Sequence, residues 1–250
     1  MGFERLDFYK DKVMINLLAR DLDNAVEVAD ALDGHVLVGV LTKKYPTVEA
    51  CVADVKAYMQ KLTNVSVGLG AGDPKQWKMV AEVAAATDPG HANEVFTGAM
   101  YCQGALAAAG CTHTLVNCLM SPTGTPGKVK ISTGPVSSQG KDLIVDVEDA
   151  MALMKDLGLP SIKFYDIHGT AHLEELKVVA AAAVKAGIPV MEPTGGIAPD
   201  NLRQIVQICY DAGCQYIIPH VYTSIIDKET KLTSVELARK CFDEIKAVVG

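Results

Sequence analysis

The chain has 250 residues, 49% of them hydrophobic, and a formal net charge of −7 at pH 7. Its 23 Lys and Arg residues are scattered, which argues against a basic surface for nucleic acid or an anionic membrane. The charged N-terminal residues lack an apolar signal core and no later apolar run is long enough to span a membrane, so we expect one cytoplasmic domain over residues 1–250.

Short β-branched runs alternate with amphipathic helical stretches, and we count eight such units. The predicted strands are residues 13–19, 36–41, 65–70, 94–97, 114–119, 161–166, 190–192 and 216–220. Between strands the apolar spacing becomes helical, as in the shared face of Leu22, Ala25, Val26 and Ala29. Eight units with right-handed crossovers predict an α/β protein, a (β/α)8 TIM barrel, because an open doubly wound sheet usually has only about five or six strands.

Helix boundaries carry their own signals. Asp73-Pro74 places proline at a first helical position, and Thr233 with Glu236 has the spacing of a capping box. Five glycines shortly before predicted strands indicate left-handed helix ends: Gly34, Gly110, Gly158, Gly187 and Gly213. The seven cysteines lie mostly in apolar stretches without a CxxC spacing, which favours reduced thiols over disulfides or zinc.

One segment, residues 121–141, interrupts the alternation after the fifth strand. It is rich in Gly, Pro, Ser and Thr, and it should lie on the catalytic face. Two functional interpretations are a lid over the site and an arm between subunits of a homo-oligomer. The structural alternative is a surface hairpin in which Val129 and Ile131 pair with neighbouring strands.

Lys163 is the first candidate for chemistry, because it lies in the middle of strand six, in SIKFYDI, where alternation sends its side chain into the barrel. An ordinary lysine is only about 0.04% neutral at pH 7, whereas a pKa lowered by roughly three units would make half of it nucleophilic. Such an amine can form a Schiff base with a carbonyl and so serve C–C cleavage. The alternatives are a structural pair with Asp166 or Glu192, or a cation that binds substrate charge.

A second candidate is Thr194-Gly195-Gly196 after strand seven, since paired glycines expose backbone N–H groups that can approach a phosphate. Phosphate sites in such barrels commonly form after strands seven and eight, and strand eight offers hydroxyls that include Ser224. A plain tight turn is the alternative.

These motifs resemble the 2-keto-3-deoxy-6-phosphogluconate (KDPG) aldolases over nearly the whole chain. SIKFYD is similar to the family's Schiff-base strand, EPTGGI to its phosphate turn and GLGAGDP to its third-strand segment. VGLGAGDPKQW, VNCLMSPTG, EPTGGIAPDN and IPHVYTSIID look like the branch associated with D-glucosaminate breakdown. The resemblance implies Lys163 as the imine-forming lysine and Gly195 with Gly196 as phosphate ligands.

Two departures from that family concern acid–base chemistry. The family's strand-two glutamate falls at Gly39, and the usual KFFP reads KFYD, with Tyr165 and Asp166. A retro-aldol cleavage must remove a hydroxyl proton and return a proton to the enamine carbon, so another group has to replace the glutamate. Glu192 beside strand six is the first choice, with a structural ion pair as its alternative, and His220 at the end of strand eight is the second.

The remaining candidates are weaker. Asp73 either binds substrate hydroxyls or caps a helix, and Arg20 or Lys43 could hold the substrate carboxylate. His168 and His172, four residues apart, would suit a metal-dependent aldolase if a third ligand existed, although we expect no metal and no cofactor. Three other histidines, which precede predicted strands, are expected on the opposite face in structural roles: His35, His91 and His113.

The sequence therefore predicts a Schiff-base aldolase that cleaves a 2-keto-3-deoxy-6-phospho sugar acid to pyruvate and glyceraldehyde 3-phosphate. Two other functions remain open at this point. One is a phosphosugar isomerase or epimerase in which Lys163 acts only through its charge, and the other is a non-catalytic phosphosugar-binding protein.

Overall fold

The computed structural model describes residues 6–250, and in this part of the chain strands and helices alternate as predicted. The strands are β1 (Ile15–Leu18), β2 (Val36–Leu41), β3 (Val65–Gly68), β4 (Gly90–Val95), β5 (Leu115–Ser121), β6 (Lys128–Ile131), β7 (Leu143–Asp146), β8 (Ser161–Phe164), β9 (Val190–Pro193) and β10 (Tyr216–Ile217). The helices are α1 (Leu22–Ala31), α2 (Val48–Met59), α3 (Trp77–Thr87), α4 (Phe96–Ala108), α5 (Val147–Asp156), α6 (Leu173–Ala186), α7 (Leu202–Asp211) and α8 (Val235–Val249).

Eight parallel strands form a curled sheet in the order β1-β2-β3-β4-β5-β8-β9-β10. Bridges also join the regions of its first and last strands, because Val13 pairs with Ile217 and Asn16 with His220, both in parallel. The strands are almost entirely buried on both faces, as parallel strands covered by helices should be. This arrangement brings the carboxyl ends of the strands to one end of the sheet.

Helix ends follow the predicted chemistry with one correction. All five glycines predicted to end helices adopt positive φ, from 64° at Gly158 to 87° at Gly213. The capping box predicted at α8 is wrong by one residue, since Ser234 accepts the hydrogen bond from the Leu237 N–H at 3.3 Å. The Thr233 hydroxyl instead donates to the Leu18 carbonyl at 2.5 Å, which ties this helix start to β1. None of the helices within residues 6–250 has the length and apolar character that a membrane span requires.

The fourth strand lies earlier than predicted. The expected strand was residues 94–97, but β4 covers Gly90–Val95, and Phe96 already begins α4. The polar side chains of His91 and Asn93 hid this strand, because a buried parallel strand is expected to be apolar. Both are buried and hydrogen-bonded to other buried polar groups.

The segment after β5 folds back as a hairpin. β6 pairs antiparallel with the end of β5 and with β7, and Val129 and Ile131 are buried as the hairpin interpretation predicted. Glu175 of α6 fixes the start of this segment, because its carboxylate accepts the Thr123 and Gly124 N–H groups at 2.7 and 3.0 Å. The segment is therefore anchored at the end of the sheet where the parallel strands terminate.

Candidate active site

A cavity of about 300 Å³ opens at the carboxyl ends of the parallel strands. Its wall includes glycine-rich loops after β3 and β9, apolar side chains, and a small set of polar side chains. The polar members are Lys43, Asn93, Lys163, Tyr165, Asp166, Thr194, His220, Tyr222 and Thr223. This is the position at which enzymes of similar architecture bind their substrates.

Lys163 reaches this cavity from the middle of β8, as its position in the strand predicted. Its side chain is 9% exposed, and Nζ lies 3.0 Å from Asn93 Oδ1 and 3.3 Å from His220 Nδ1. Nζ forms no ion pair with any residue in the described part of the chain. Burial lowers the pKa of Lys163 to about 8, although the negative charge of Glu192 opposes this effect. Roughly a tenth of the amine is therefore neutral at pH 7, far more than of an exposed lysine.

Glu192 lies beneath Lys163 rather than in the cavity wall. Its carboxylate is fully buried and accepts hydrogen bonds from His91 Nε2 at 3.0 Å, His220 Nε2 at 2.7 Å, Asn117 Nδ2 at 2.8 Å and Ser161 Oγ at 2.5 Å. Burial raises the pKa of this carboxyl, but the two imidazoles and their hydrogen bonds outweigh burial and hold the pKa well below its usual range. Glu192 is thus a buried anion whose hydrogen bonds fix the positions of the side chains around it.

His220 joins this buried anion to the cavity. Burial, helped by the positive charge of Lys163, lowers the pKa of His220 to about 3 against the opposing effect of Glu192, so the imidazole is neutral at pH 7. Because Nε2 donates to an ionised Glu192, Nδ1 carries the lone pair. That lone pair faces the Lys163 amine at 3.3 Å and the Tyr222 hydroxyl at 2.6 Å. His220 Nδ1 is therefore a hydrogen-bond acceptor at the cavity wall.

Gly39, the position at which the resemblance places the strand-two glutamate, packs closely against β1. A Cβ atom on Gly39 would lie 2.8 Å from Leu18 Cδ2 and 3.4 Å from the Leu17 carbonyl oxygen. Leu18 also lines the cavity, so a larger residue at position 39 would require its side chain to shift. β2 has glycine at this position, and a titratable group is instead provided by His220 after β10, whose Nδ1 lies 3.3 Å from Nζ.

Backbone N–H groups converge at one end of the cavity. The N–H groups of Gly196 and Ile197 donate no hydrogen bond to other residues of the described chain, whereas Gly195 directly follows the parallel bridge between Thr194 and His220; all three residues line the cavity. Gly195 and Gly196 have φ of 106° and 64°, a conformation that turns successive N–H groups to one side. Thr223 also lines this end, so the loops after β9 and β10 together can bind an anion.

The other residues predicted to bind substrate are divided between the cavity and its surroundings. Lys43 and Thr194 line the cavity, where the Lys43 side chain packs over Gly70. Arg20 does not reach it, because its guanidinium pairs with Asp21 at 2.7 Å and hydrogen-bonds the Thr230 carbonyl. Two further predicted ligands also lie outside the wall and bind backbone groups instead: Asp73 accepts from the Lys75 N–H, and the Ser224 hydroxyl donates to the Ile197 carbonyl.

The histidines differ from the prediction at one important position. His91 was expected before a strand, which is wrong, because it lies inside β4; there it donates to the buried Glu192 and does not line the cavity, in keeping with the structural role predicted for it. His35 is bound through Nδ1 at the Asp7 carbonyl. His172 pairs with Glu175 at 2.6 Å, and no cluster of three or more metal-ligating side chains occurs among residues 6–250.

Asn93 and Tyr222 also belong to the polar wall, and Asn93 was not among the predicted site residues. Misplacing β4 hid the alternation of His91 and Asn93, which both point toward the centre of the curled sheet. Asn93 Oδ1 accepts from Lys163 and also from Asn117 Nδ2 at 2.8 Å. Strand alternation within GHANEV is the signal that could have identified it.

Comparisons with known proteins identify the family of the chain and proteins of similar fold. The family model for KDGP aldolase matches residues 9–229. A 2-dehydro-3-deoxy-phosphogluconate aldolase of Salmonella typhimurium (strain 14028s / SGSC 2262) is 45% identical over 246 residues, which cover 98% of this chain and all of that protein. In structure the chain is similar to phosphoribosyl anthranilate isomerase from Thermococcus kodakaraensis (TM-score 0.61, 12% identity, covering 93% of this chain and 98% of that one). It is also similar to KGPDC from Streptococcus mutans (TM-score 0.59, 13% identity, 94% and 98%). These two structural likenesses concern the fold alone, whereas the family match and the sequence identity show that the chain belongs to the KDGP aldolase family and is an enzyme of the aldolase class.

Proposed function

We propose that this aldolase acts through a Schiff base on Lys163 and cleaves a 2-keto-3-deoxy-6-phospho sugar acid, of the kind handled in D-glucosaminate breakdown, to pyruvate and glyceraldehyde 3-phosphate. The observation that carries the proposal is the buried Lys163 amine, which faces the cavity without a paired carboxylate and has its pKa lowered to about 8. An amine that is neutral often enough at pH 7 can attack the 2-oxo carbon and lose water to form an iminium ion.

His220 moves the protons in this mechanism. Its Nδ1 lone pair takes the proton of the C4 hydroxyl group, the C3–C4 bonding electrons flow into the iminium ion, and the aldehyde leaves. The resulting enamine takes a proton back at C3, and water then hydrolyses the pyruvate imine and frees Lys163. Two observations support this role for His220: its position 3.3 Å from Nζ, and the Nε2 hydrogen bond that Glu192 uses to fix its tautomer.

Phosphate binding takes place at the turn of Gly195, Gly196 and Ile197, which lines the cavity and in which the N–H groups of Gly196 and Ile197 have no acceptor within residues 6–250. Lys43, across the cavity on the loop after β2, supplies a cation for the substrate carboxylate. We further propose that the curled sheet closes into a complete (β/α)8 barrel. This is supported by hydrogen bonds of the Asn16 N–H to Pro219 and of the Val221 N–H to Asn16, at 2.9 and 2.8 Å.

Pyruvate trapping tests the mechanism directly. The protein is incubated with pyruvate, reduced with borohydride and analysed by mass spectrometry, followed by peptide mapping. We expect one reduced adduct, located on Lys163 and absent in Lys163→Met. An adduct that persists in Lys163→Met, or no adduct in the unsubstituted protein, would exclude the mechanism. Release of pyruvate from the phosphorylated substrate separates this function from an isomerase and from a binding protein.

A further inference from the structure

Asp166 presents a carboxylate in the cavity wall, two residues after the end of β8. Its Oδ1 accepts the His168 N–H at 2.7 Å, and Oδ2 lies 3.4 Å from His168 Nδ1. The side chain is 30% exposed, which leaves both oxygens with capacity for a further hydrogen bond. This carboxylate has no role in the mechanism described so far.

The carboxylate occupies space that is open because the neighbouring turn has a glycine at position 195. A Cβ atom on Gly195 would lie 1.9 Å from Asp166 Oδ1 and 2.5 Å from its Cγ. Asp166 therefore fills the space that any other residue at position 195 would occupy. Asp166, Lys163 and the residues of the turn all line one cavity.

The chemistry of the surrounding wall indicates what this carboxylate can bind. Lys43 and Lys163 are donors, Asn93 Oδ1 already accepts two hydrogen bonds, and the Thr194 hydroxyl donates to the Glu192 carbonyl. An ionised carboxylate only accepts hydrogen bonds, and it repels the carboxylate and phosphate groups of a substrate because all of them are anions. It can bind the hydroxyl groups on the carbons between those two anionic ends.

We propose that Asp166 accepts a hydrogen bond from a hydroxyl group on the aldehyde half of the substrate and thereby selects hydroxylated substrates. This inference rests on the proposed function, because it requires the 2-oxo carbon at Lys163 and the phosphate at the turn. A substrate held at these two ends passes its hydroxyl-bearing carbons beside Asp166. A site built to bind a hydroxyl rejects an analogue that lacks it, because the acceptor then loses its partner in a partly desolvated place.

The test uses the condensation direction with two aldehydes. The enzyme receives pyruvate with either glyceraldehyde 3-phosphate or 3-phosphopropanal, which lacks the hydroxyl group next to the aldehyde. We expect the unsubstituted enzyme to prefer the hydroxylated aldehyde in kcat/KM, and Asp166→Ala to lose about 10- to 100-fold of that preference, the effect of one hydrogen bond to a charged group. Asp200→Ala, which removes an exposed carboxylate from the loop before α7, is the matched control and should keep the preference.

Pyruvate trapping with borohydride is measured on the same proteins, because pyruvate has no hydroxyl group. We expect Asp166→Ala to trap pyruvate within a few-fold of the unsubstituted enzyme. An equal loss with both aldehydes, or a loss of pyruvate trapping in Asp166→Ala alone, would overturn the proposal by showing a structural role. Failure of trapping in the unsubstituted enzyme would instead reject the imine mechanism, so the two failures are distinguishable.

Discussion

Asn93→Asp should slow imine formation at neutral pH through charge alone. The substitution keeps the shape of the side chain but places a carboxylate oxygen about 3.0 Å from Lys163 Nζ, where the amide oxygen now lies. At an effective dielectric constant of about 20, two unit charges at this distance attract by roughly 5 kcal/mol. Water in the cavity screens this attraction, but even a much weaker attraction should raise the pKa of Lys163 from about 8 to about 10 or higher.

The neutral fraction of the amine at pH 7 should then fall from roughly a tenth to roughly a thousandth, so pyruvate trapping should slow by about a hundredfold or more. Raising the pH to about 10 should restore most of the lost rate. The assay is the initial rate of borohydride-trapped pyruvate adduct as a function of pH, with circular dichroism and thermal unfolding as checks of the fold.

Asn93→Ala is the matched control, because it removes the amide without adding a charge. Its trapping rate at pH 7 should stay within a few-fold of the unsubstituted enzyme, and the midpoint of its pH profile should not rise. If Asn93→Asp and Asn93→Ala slowed trapping equally at every pH, Asn93 would act through packing, and local charge would not control Lys163.

Three further predictions concern stability and the phosphate turn. Glu94 is buried, and neither of its carboxylate oxygens has a hydrogen-bond partner within residues 6–250. Burial raises its pKa well above 4.5, so the native state holds a proton that the unfolded chain releases above that pH. Above pH 4.5 this proton should make the unfolding free energy fall by about 1.4 kcal/mol per pH unit, and Glu94→Gln should abolish this pH dependence. Urea unfolding from pH 4 to 8 measures it, and an unchanged slope in the variant would contradict the prediction. Burial lowers the pKa of Lys163 from 10.5 to about 8, so the buried protonated amine reduces the unfolding free energy; the reduction is complete below pH 8 and declines as the pH rises toward 10.5. Lys163→Met should therefore raise the unfolding free energy at pH 7 by roughly 3 kcal/mol, and an unchanged value would refute this penalty. Gly196→Ala places a Cβ atom 2.5 Å from the Gly169 nitrogen at a φ of 64°, which should lower the unfolding free energy by about 2 kcal/mol, measured by thermal unfolding. The variant should also have a higher KM for phosphorylated substrates while it still traps pyruvate. An unchanged KM would place the phosphate elsewhere.

Local patterns in the sequence were sufficient for the alternating architecture, the five glycine helix ends and the inward direction of Lys163. Each depends on the nearest residues along the chain: apolar periodicity, a left-handed glycine, and alternation within one strand. The same patterns failed at β4, because polar side chains that satisfy one another inside a curled sheet look like surface residues in a linear sequence.

Only the tertiary structure decided which polar groups meet. Glu192 was expected to face Lys163 directly, but it lies beneath the cavity because His91, Asn117, Ser161 and His220, from four separate segments, all donate to it. The pKa values of these groups depend on such contacts between residues distant in sequence, because burial and neighbouring charges set a pKa and neither is a property of one residue. The sequence by itself determined which residue carries the amine, whereas the fold determined that this amine is desolvated, unpaired and adjacent to a neutral imidazole.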